Sequence, residues 1–195
     1  MVQRSAGQTS KRPGKRSDSK DRNGGEPKRT RVGVARLNLN LGCGDTRKEG
    51  FRGIDVEPGP EVDQIVDLNI LPWPWDDNSI DGVYAGDALE HLAPLGIGQG
   101  QNNIVAVMRE IHRVLKPGGE LEILVPSTDG RGAFQDPSHR TFWNKNTFLY
   151  FSSNQEFAYM TKFSIGYPRF KIHTLLNVDG DLLVSWVHVT MTKPE

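Results

Sequence analysis

A single cysteine, Cys43, stands in the whole chain. That scarcity excludes an internal disulfide, a cysteine-based zinc cluster and a CxxC redox pair. A reducing, cytoplasmic setting is the expectation that goes with it. Apolar runs are short as well, and none approaches the roughly 18–20 residues that cross a bilayer. The N-terminus is charged and lacks the apolar stretch of a signal peptide. A soluble protein with no membrane partner is expected.

Large apolar side chains are nearly missing from residues 1–33, which are rich in Lys, Arg, Ser, Gly and Asp. Such a segment cannot bury enough surface to offset its ordering entropy, so a disordered arm is expected over 1–33, ahead of one domain over 34–195. The formal charge is zero overall but unevenly spread. Met1 to Arg31 carries ten Lys/Arg against three acids, a net +7, and the remainder carries fourteen against twenty-one, a net −7. A basic arm on an acidic body admits nucleic acid as a partner, although most such arms only solubilise. Nothing in the sequence speaks to oligomeric state.

What is present from Ala35 onward is a series of short strands. Ala35–Leu41 alternates apolar and polar residues and breaks at Gly42-Cys43-Gly44. Gly53–Val56, Val62–Asp67, Ile80–Ala85 and Glu120–Val125 have the texture of further strands. Asn102–Leu115 has helical spacing, with Ile104, Val105, Val107, Met108, Ile111, Val114 and Leu115 on one face, and Lys116-Pro117-Gly118-Gly119 predicts its stop. Arg169–Val178 and Leu182–Thr192 flank Asp179-Gly180-Asp181 as a hairpin. Together these predict an α/β fold: a three-layer Rossmann-like sandwich around a mostly parallel seven-stranded sheet, closed by a C-terminal antiparallel hairpin. One spacing conflicts with a full-sized version. Only Glu57 to Glu61 separates the second and third strands, whereas a parallel crossover usually takes about a dozen residues. Either the first two crossover helices are cut down to loops, or the third strand is misassigned.

A glycine turn after a strand lets a ligand approach the backbone, because glycine has no Cβ. Asp55, ending the next strand, is placed to accept from the two hydroxyls of a ribose. The third glycine of GxGxxG is absent, with Arg47 in its place, and no long helix starts here to hold a pyrophosphate. A nucleoside without phosphates suits this pattern better than a dinucleotide.

Asn40–Gly44 (NLGCG), Gly53–Pro58 (GIDVEP), Leu71–Leu92 and Arg109–Pro126 resemble, in order and spacing, the class I S-adenosylmethionine-dependent methyltransferases, above all a compact branch with shortened first helices. The resemblance runs from about Leu37 to Pro126 and continues more faintly beyond. It implies S-adenosyl-L-methionine as cofactor and methyl transfer as the activity. The Gly42-Cys43-Gly44 turn would border the cofactor, Gly42 and Gly44 facing its methionine and ribose parts. Asp55 would bind the ribose hydroxyls, Asp67 with the Leu68 backbone would recognise adenine, and Asp87 would lie near the sulfonium or amino group. Asp45 departs from the small residue usual after the second glycine.

Candidate catalytic residues are His91, Asp136 and His139. Glu90-His91 follows the fourth strand on the edge where ligands of such sheets bind, and Asp136–Arg140 follows the fifth on the same edge. With Phe134, Phe142 and Trp143 the latter could wall an acceptor pocket. Structural readings stand beside these: Asp67 as a loop cap, His91 as a loop anchor, Asp136-Pro137 as a turn starter. No metal site is expected. The Asn/Asp-Pro-Pro-aromatic motif of DNA amino methylation is missing, and Cys43 lacks the preceding proline of cytosine C5 enzymes. A small-molecule or glycan-precursor acceptor suits a chain with no added recognition domain, and nucleic acid or protein, motivated by the basic arm, is the runner-up. A non-catalytic binding module on a degenerate fold and, more remotely, a nucleotide-dependent dehydrogenase are the rival readings.

Overall fold

The computed structural model describes residues 36–92, 103–162 and 166–195. The arm expected over 1–33 lies outside them. The elements are β1 (Asn38–Leu41), β2 (Arg52–Asp55), β3 (Gln64–Ile65), β4 (Ile80–Gly86), α1 (Asn103–Val114), β5 (Leu115–Pro126), three short helices α2 (Gly132–Gln135), α3 (Lys145–Leu149) and α4 (Ala158–Thr161), then β6 (Lys171–Asp179) and β7 (Ser185–Thr192). They form a seven-stranded sheet in the order β3-β2-β1-β4-β5-β7-β6. The first five strands run parallel, and β7 is antiparallel to both β5 and β6. Among the described residues no helix is long and apolar enough to cross a membrane.

The sheet is parallel where the spacing posed a conflict, so the crossovers have indeed been reduced to loops. A glycine makes this possible. A Cβ on Gly53 would lie 1.9 Å from the Glu61 carbonyl oxygen. The β2–β3 loop folds directly onto the bare backbone there, clasped by Asp63 N to the Gly53 carbonyl and Gly53 N to Asp63 Oδ2, both 2.8 Å. The predicted strand Val62–Asp67 shrinks to two residues in consequence.

Central strands of a parallel sheet are covered on both faces, and β1 shows it: Leu39, Asn40 and Leu41 are all buried. Asn40 is tolerated because its Nδ2 donates to the Thr46 carbonyl at 3.0 Å. Helix α1 buries Val105, Val107, Met108, Ile111 and Val114. It ends at Val114, and β5 begins at once, so Lys116–Gly119 opens a strand rather than forming a free turn. The last carbonyls of the helix are met from the far end of the chain. Lys193 Nζ donates to the carbonyls of His112 and Leu115 at 2.7 and 2.8 Å. Trp73 and Trp75 pack edge-to-face in the core.

Candidate active site

Parallel strands of one sheet place the turns that follow them on one edge. Here the residues after β1, β2, β3 and β4 bring Gly42, Gly44, Asp55, Asp67, Leu68, Asp87 and His91 around a cavity of about 370 Å³. Gly42 and Gly44 have φ of 63° and 51°, a left-handed backbone that favours glycine. A Cβ on Gly42 would meet the Ala88 Cβ at 2.5 Å, whereas one on Gly44 would meet nothing within 4 Å. The first glycine lets two loops touch, and the second leaves space that a side chain would fill. Cys43 is not among the residues lining this cavity. It is buried, its Sγ 3.5 Å from the Glu61 carbonyl, and it borders a smaller neighbouring cavity of about 290 Å³.

Asp55 is held by three backbone N–H donors: Gly44 to Oδ2 at 2.8 Å, and Val56 and Glu57 to Oδ1 at 2.7 and 3.2 Å. A carboxylate offers about four lone-pair directions, so one remains for a ligand hydroxyl. Asp67 caps its own turn, Oδ1 accepting from Asn69 N and Nδ2 at 2.8 and 3.0 Å. Its Oδ2 has no hydrogen bond among the described residues, so the capping and ligand readings are compatible. Asp87 has φ of 48°, and its Oδ1 accepts from Trp186 Nε1 at 2.8 Å. Trp186, on β7 at the other end of the chain, is a site residue that sequence reasoning missed. Three aspartates on one cavity repel phosphates and suit a cationic, hydroxyl-bearing ligand. The nucleoside end, amino group and sulfonium of S-adenosylmethionine fit this lining. A cavity of about 460 Å³, lined by Asn38, Gly82 and Glu120, lies at the opposite ends of the same strands. That edge carries none of the glycine turn or its acids.

Beside the first cavity, a 3₁₀ turn over Leu89–His91 meets the loop after α2. The Glu90 carbonyl accepts from Arg140 N and Thr141 N at 2.7 and 2.9 Å, which pins the two segments together. His91 and His139 stand edge-to-face with ring centroids 4.9 Å apart. His91 Nδ1 lies 3.1 Å from Ser138 Oγ, and that hydroxyl donates to Asp136 Oδ1 at 2.6 Å. Since its one hydrogen goes to the carboxylate, Ser138 accepts from His91 Nδ1–H. His139 Nδ1 donates to the Ala133 carbonyl at 3.1 Å. Both rings thereby keep Nε2 as the lone-pair nitrogen. The two hydrogen bonds from Ser138 hold the Asp136 carboxyl below its usual range. All three candidate catalytic residues are thus gathered in one place.

Between the histidines and the core lies Glu90, another residue the sequence reading left without a role of its own. It is 1% exposed, and neither carboxylate oxygen has a hydrogen-bond partner among the described residues. Burial, with the charges of Asp87 and Asp136 adding to it, pushes its carboxyl up to about 8. One ligand atom from each of Glu90, His91 and His139 lies within 4.8 Å of the others. Of the expected aromatic wall, Phe134 and Phe142 stack at 5.2 Å and are exposed by 63% and 48%. Trp143 is a correction: it is buried against Phe148, its Nε1 donating to Thr141 Oγ1, and it belongs to the core.

Residues 52–123 match the family described as a methyltransferase domain. No curated protein sequence is significantly similar to the chain. Among solved structures, an S-adenosylmethionine-dependent methyltransferase from Methanosarcina mazei superposes with a TM-score of 0.52 at 12% identity, covering 82% of this chain and 93% of that one. The Burkholderia thailandensis 1,6-didemethyltoxoflavin-N1-methyltransferase, solved with its substrate and S-adenosylhomocysteine, gives 0.52 at 17% identity, covering 82% and 71%. The [4+2]-cyclase SpnF gives 0.51 at 17% identity, covering 85% and 78%. At such identities these likenesses speak for the fold.

Proposed function

We propose that this chain is a class I S-adenosylmethionine-dependent methyltransferase whose methyl acceptor is a small molecule, docked where the cofactor cavity meets the His91–His139 edge. The observation that carries this reading is the exposed Phe134–Phe142 stack beside that edge, an apolar platform of the size of one small ring system. Bound S-adenosylmethionine supplies an electrophilic methyl group on its sulfonium. Gly42 and Gly44 admit the cofactor to the backbone. Asp55 takes a ribose hydroxyl, Asp67 and the Leu68 backbone read adenine, and Asp87 faces the cationic end. Much of the acceleration in such a displacement comes from holding two reactants in line.

Methylation of a hydroxyl or a protonated nitrogen also requires loss of a proton. The His91 and His139 lone pairs, oriented by Ser138 and the Ala133 carbonyl, stand where that proton leaves. Calorimetric titration of Asp55→Ala with S-adenosylhomocysteine tests the cofactor assignment. A hydrogen bond to a charged group contributes about 1.5–3 kcal/mol, so affinity should fall roughly 10–100-fold. Unchanged affinity in a folded variant would remove Asp55 from the site.

A further inference from the structure

We propose that Glu90, His91 and His139 form a site for one divalent transition-metal ion, with two imidazole nitrogens and one carboxylate as donors. The expectation from the sequence was that no metal is held. The geometry points the other way. The three ligand atoms lie within 4.8 Å of one another. That is close enough for side-chain torsions to bring them onto one ion at about 2.0–2.2 Å.

The strongest support is Glu90. A carboxyl group 1% exposed with both oxygens unpartnered is costly to a fold. Among the described residues, the groups facing it are His91, His139 and, further out, the like-charged Asp87 and Asp136. Protonation would satisfy at most one oxygen, by donation to one of the two rings, and would leave the other oxygen without a donor. A cation between the carboxylate and the two rings satisfies all three at once.

The rings are also set as ligands are. Each Nδ1–H is committed, His91 to Ser138 Oγ and His139 to the Ala133 carbonyl, both at 3.1 Å. Such outer bonds fix the tautomer and leave the other ring nitrogen available to a metal. Asp136 reaches the cluster through Ser138, and its Oδ2 lies 3.9 Å from His139 Nε2. Imidazole with one carboxylate suits the zinc and iron(II) class of ions over magnesium, which prefers an all-oxygen set. His91 is exposed and lines the cofactor cavity, so the cluster adjoins that cavity. With the ion bound, His91 and His139 would act as ligands in place of the base role given above, and an acceptor hydroxyl on the ion would lose its proton to solvent because the ion lowers its pKa. That consequence rests on the acceptor reading above; metal binding itself does not.

The test uses the untagged full-length protein, stripped with EDTA and titrated with zinc(II). Cobalt(II) absorption reports the coordination sphere, and S-adenosylhomocysteine is titrated in parallel. One ion per chain is expected. Glu90→Gln and His139→Ala should each weaken zinc binding by at least about 100-fold, and Ser138→Ala by about 10-fold. Circular dichroism confirms that each variant is folded, and Ser138→Ala keeps the test decisive if Glu90→Gln is not. No stoichiometric zinc, binding unchanged in these variants, or a preference for magnesium would overturn the proposal. Zinc binding without S-adenosylhomocysteine binding would instead fault the cofactor reading alone.

Discussion

Gly53→Ala is the perturbation that most directly questions how this fold dispenses with a crossover helix. The new Cβ would sit 1.9 Å from the Glu61 carbonyl oxygen and 3.0 Å from Cys43 Sγ. The nearer atom is backbone, so no side-chain torsion relieves the clash. The loop must retreat by roughly 1 Å, an overpacking cost of about 1–3 kcal/mol. That retreat also stretches the two bonds clasping Gly53 to Asp63, at about 0.5–1.5 kcal/mol each. Removing a glycine from the unfolded chain offsets about 0.4–1 kcal/mol. The net destabilisation should be about 1–6 kcal/mol, centred on about 3, a sizeable share of the about 5–15 kcal/mol typical of a domain. Urea unfolding followed by circular dichroism measures it. Gly50→Ala is the control, with φ of 77° and nothing within 4 Å of its Cβ. It should cost only the left-handed backbone penalty of about 1–2 kcal/mol. If Gly53→Ala is no more destabilising than Gly50→Ala, the glycine does not enable the short crossover.

Trp186→Phe removes the donor that orients Asp87 on the cavity beside the glycine turn. At about 1 kcal/mol for the lost bond, S-adenosylhomocysteine should bind roughly 5-fold more weakly, and equal affinity by calorimetry would show that Asp87 needs no orienting. Asp81 accepts from Lys116 Nζ at 2.7 Å and from Leu37 N at 2.8 Å, and the lysine bond first, then the backbone bond, holds its carboxyl below the usual range. A depressed carboxyl stabilises the fold above its unfolded pKa, near 4, and that contribution is lost as pH falls through the lower folded value. Asp81→Asn should therefore lower stability at neutral pH by about 1 kcal/mol or less, given partial exposure, and flatten the acid limb of the stability curve. Parallel wild-type and variant curves below pH 4 would contradict that assignment.

Much of the site was legible because its parts are local. Strand, glycine turn and strand-ending acid occur within Asn38–Asp55, and both the turn and the acid depend on backbone chemistry that neighbouring residues dictate. The amphipathic period of α1 and the turn at Asp179–Asp181 are likewise properties of short windows. Less legible were features that depend on what arrives from elsewhere. His91 and His139 are 48 residues apart and meet because the Leu89 and Glu90 carbonyls and the Ser138 hydroxyl hold the later loop against the turn. Trp143 and Phe142 are adjacent aromatics with opposite fates, one core and one surface, which no composition rule separates. The cap of α1 comes from Lys193, where local rules pointed to proline and glycine at 117–119.

Periodicity and turn residues therefore determined that this chain makes an α/β sheet, and where its glycine turn and the acid that ends the second strand lie, since those signals are written in consecutive residues. Tertiary structure alone decided which carboxylate was buried without a partner, which indole reached Asp87 and how a two-residue strand could replace a longer one. Burial and cross-sheet pairing are collective, and a side chain's surroundings exist only once distant strands have closed around it.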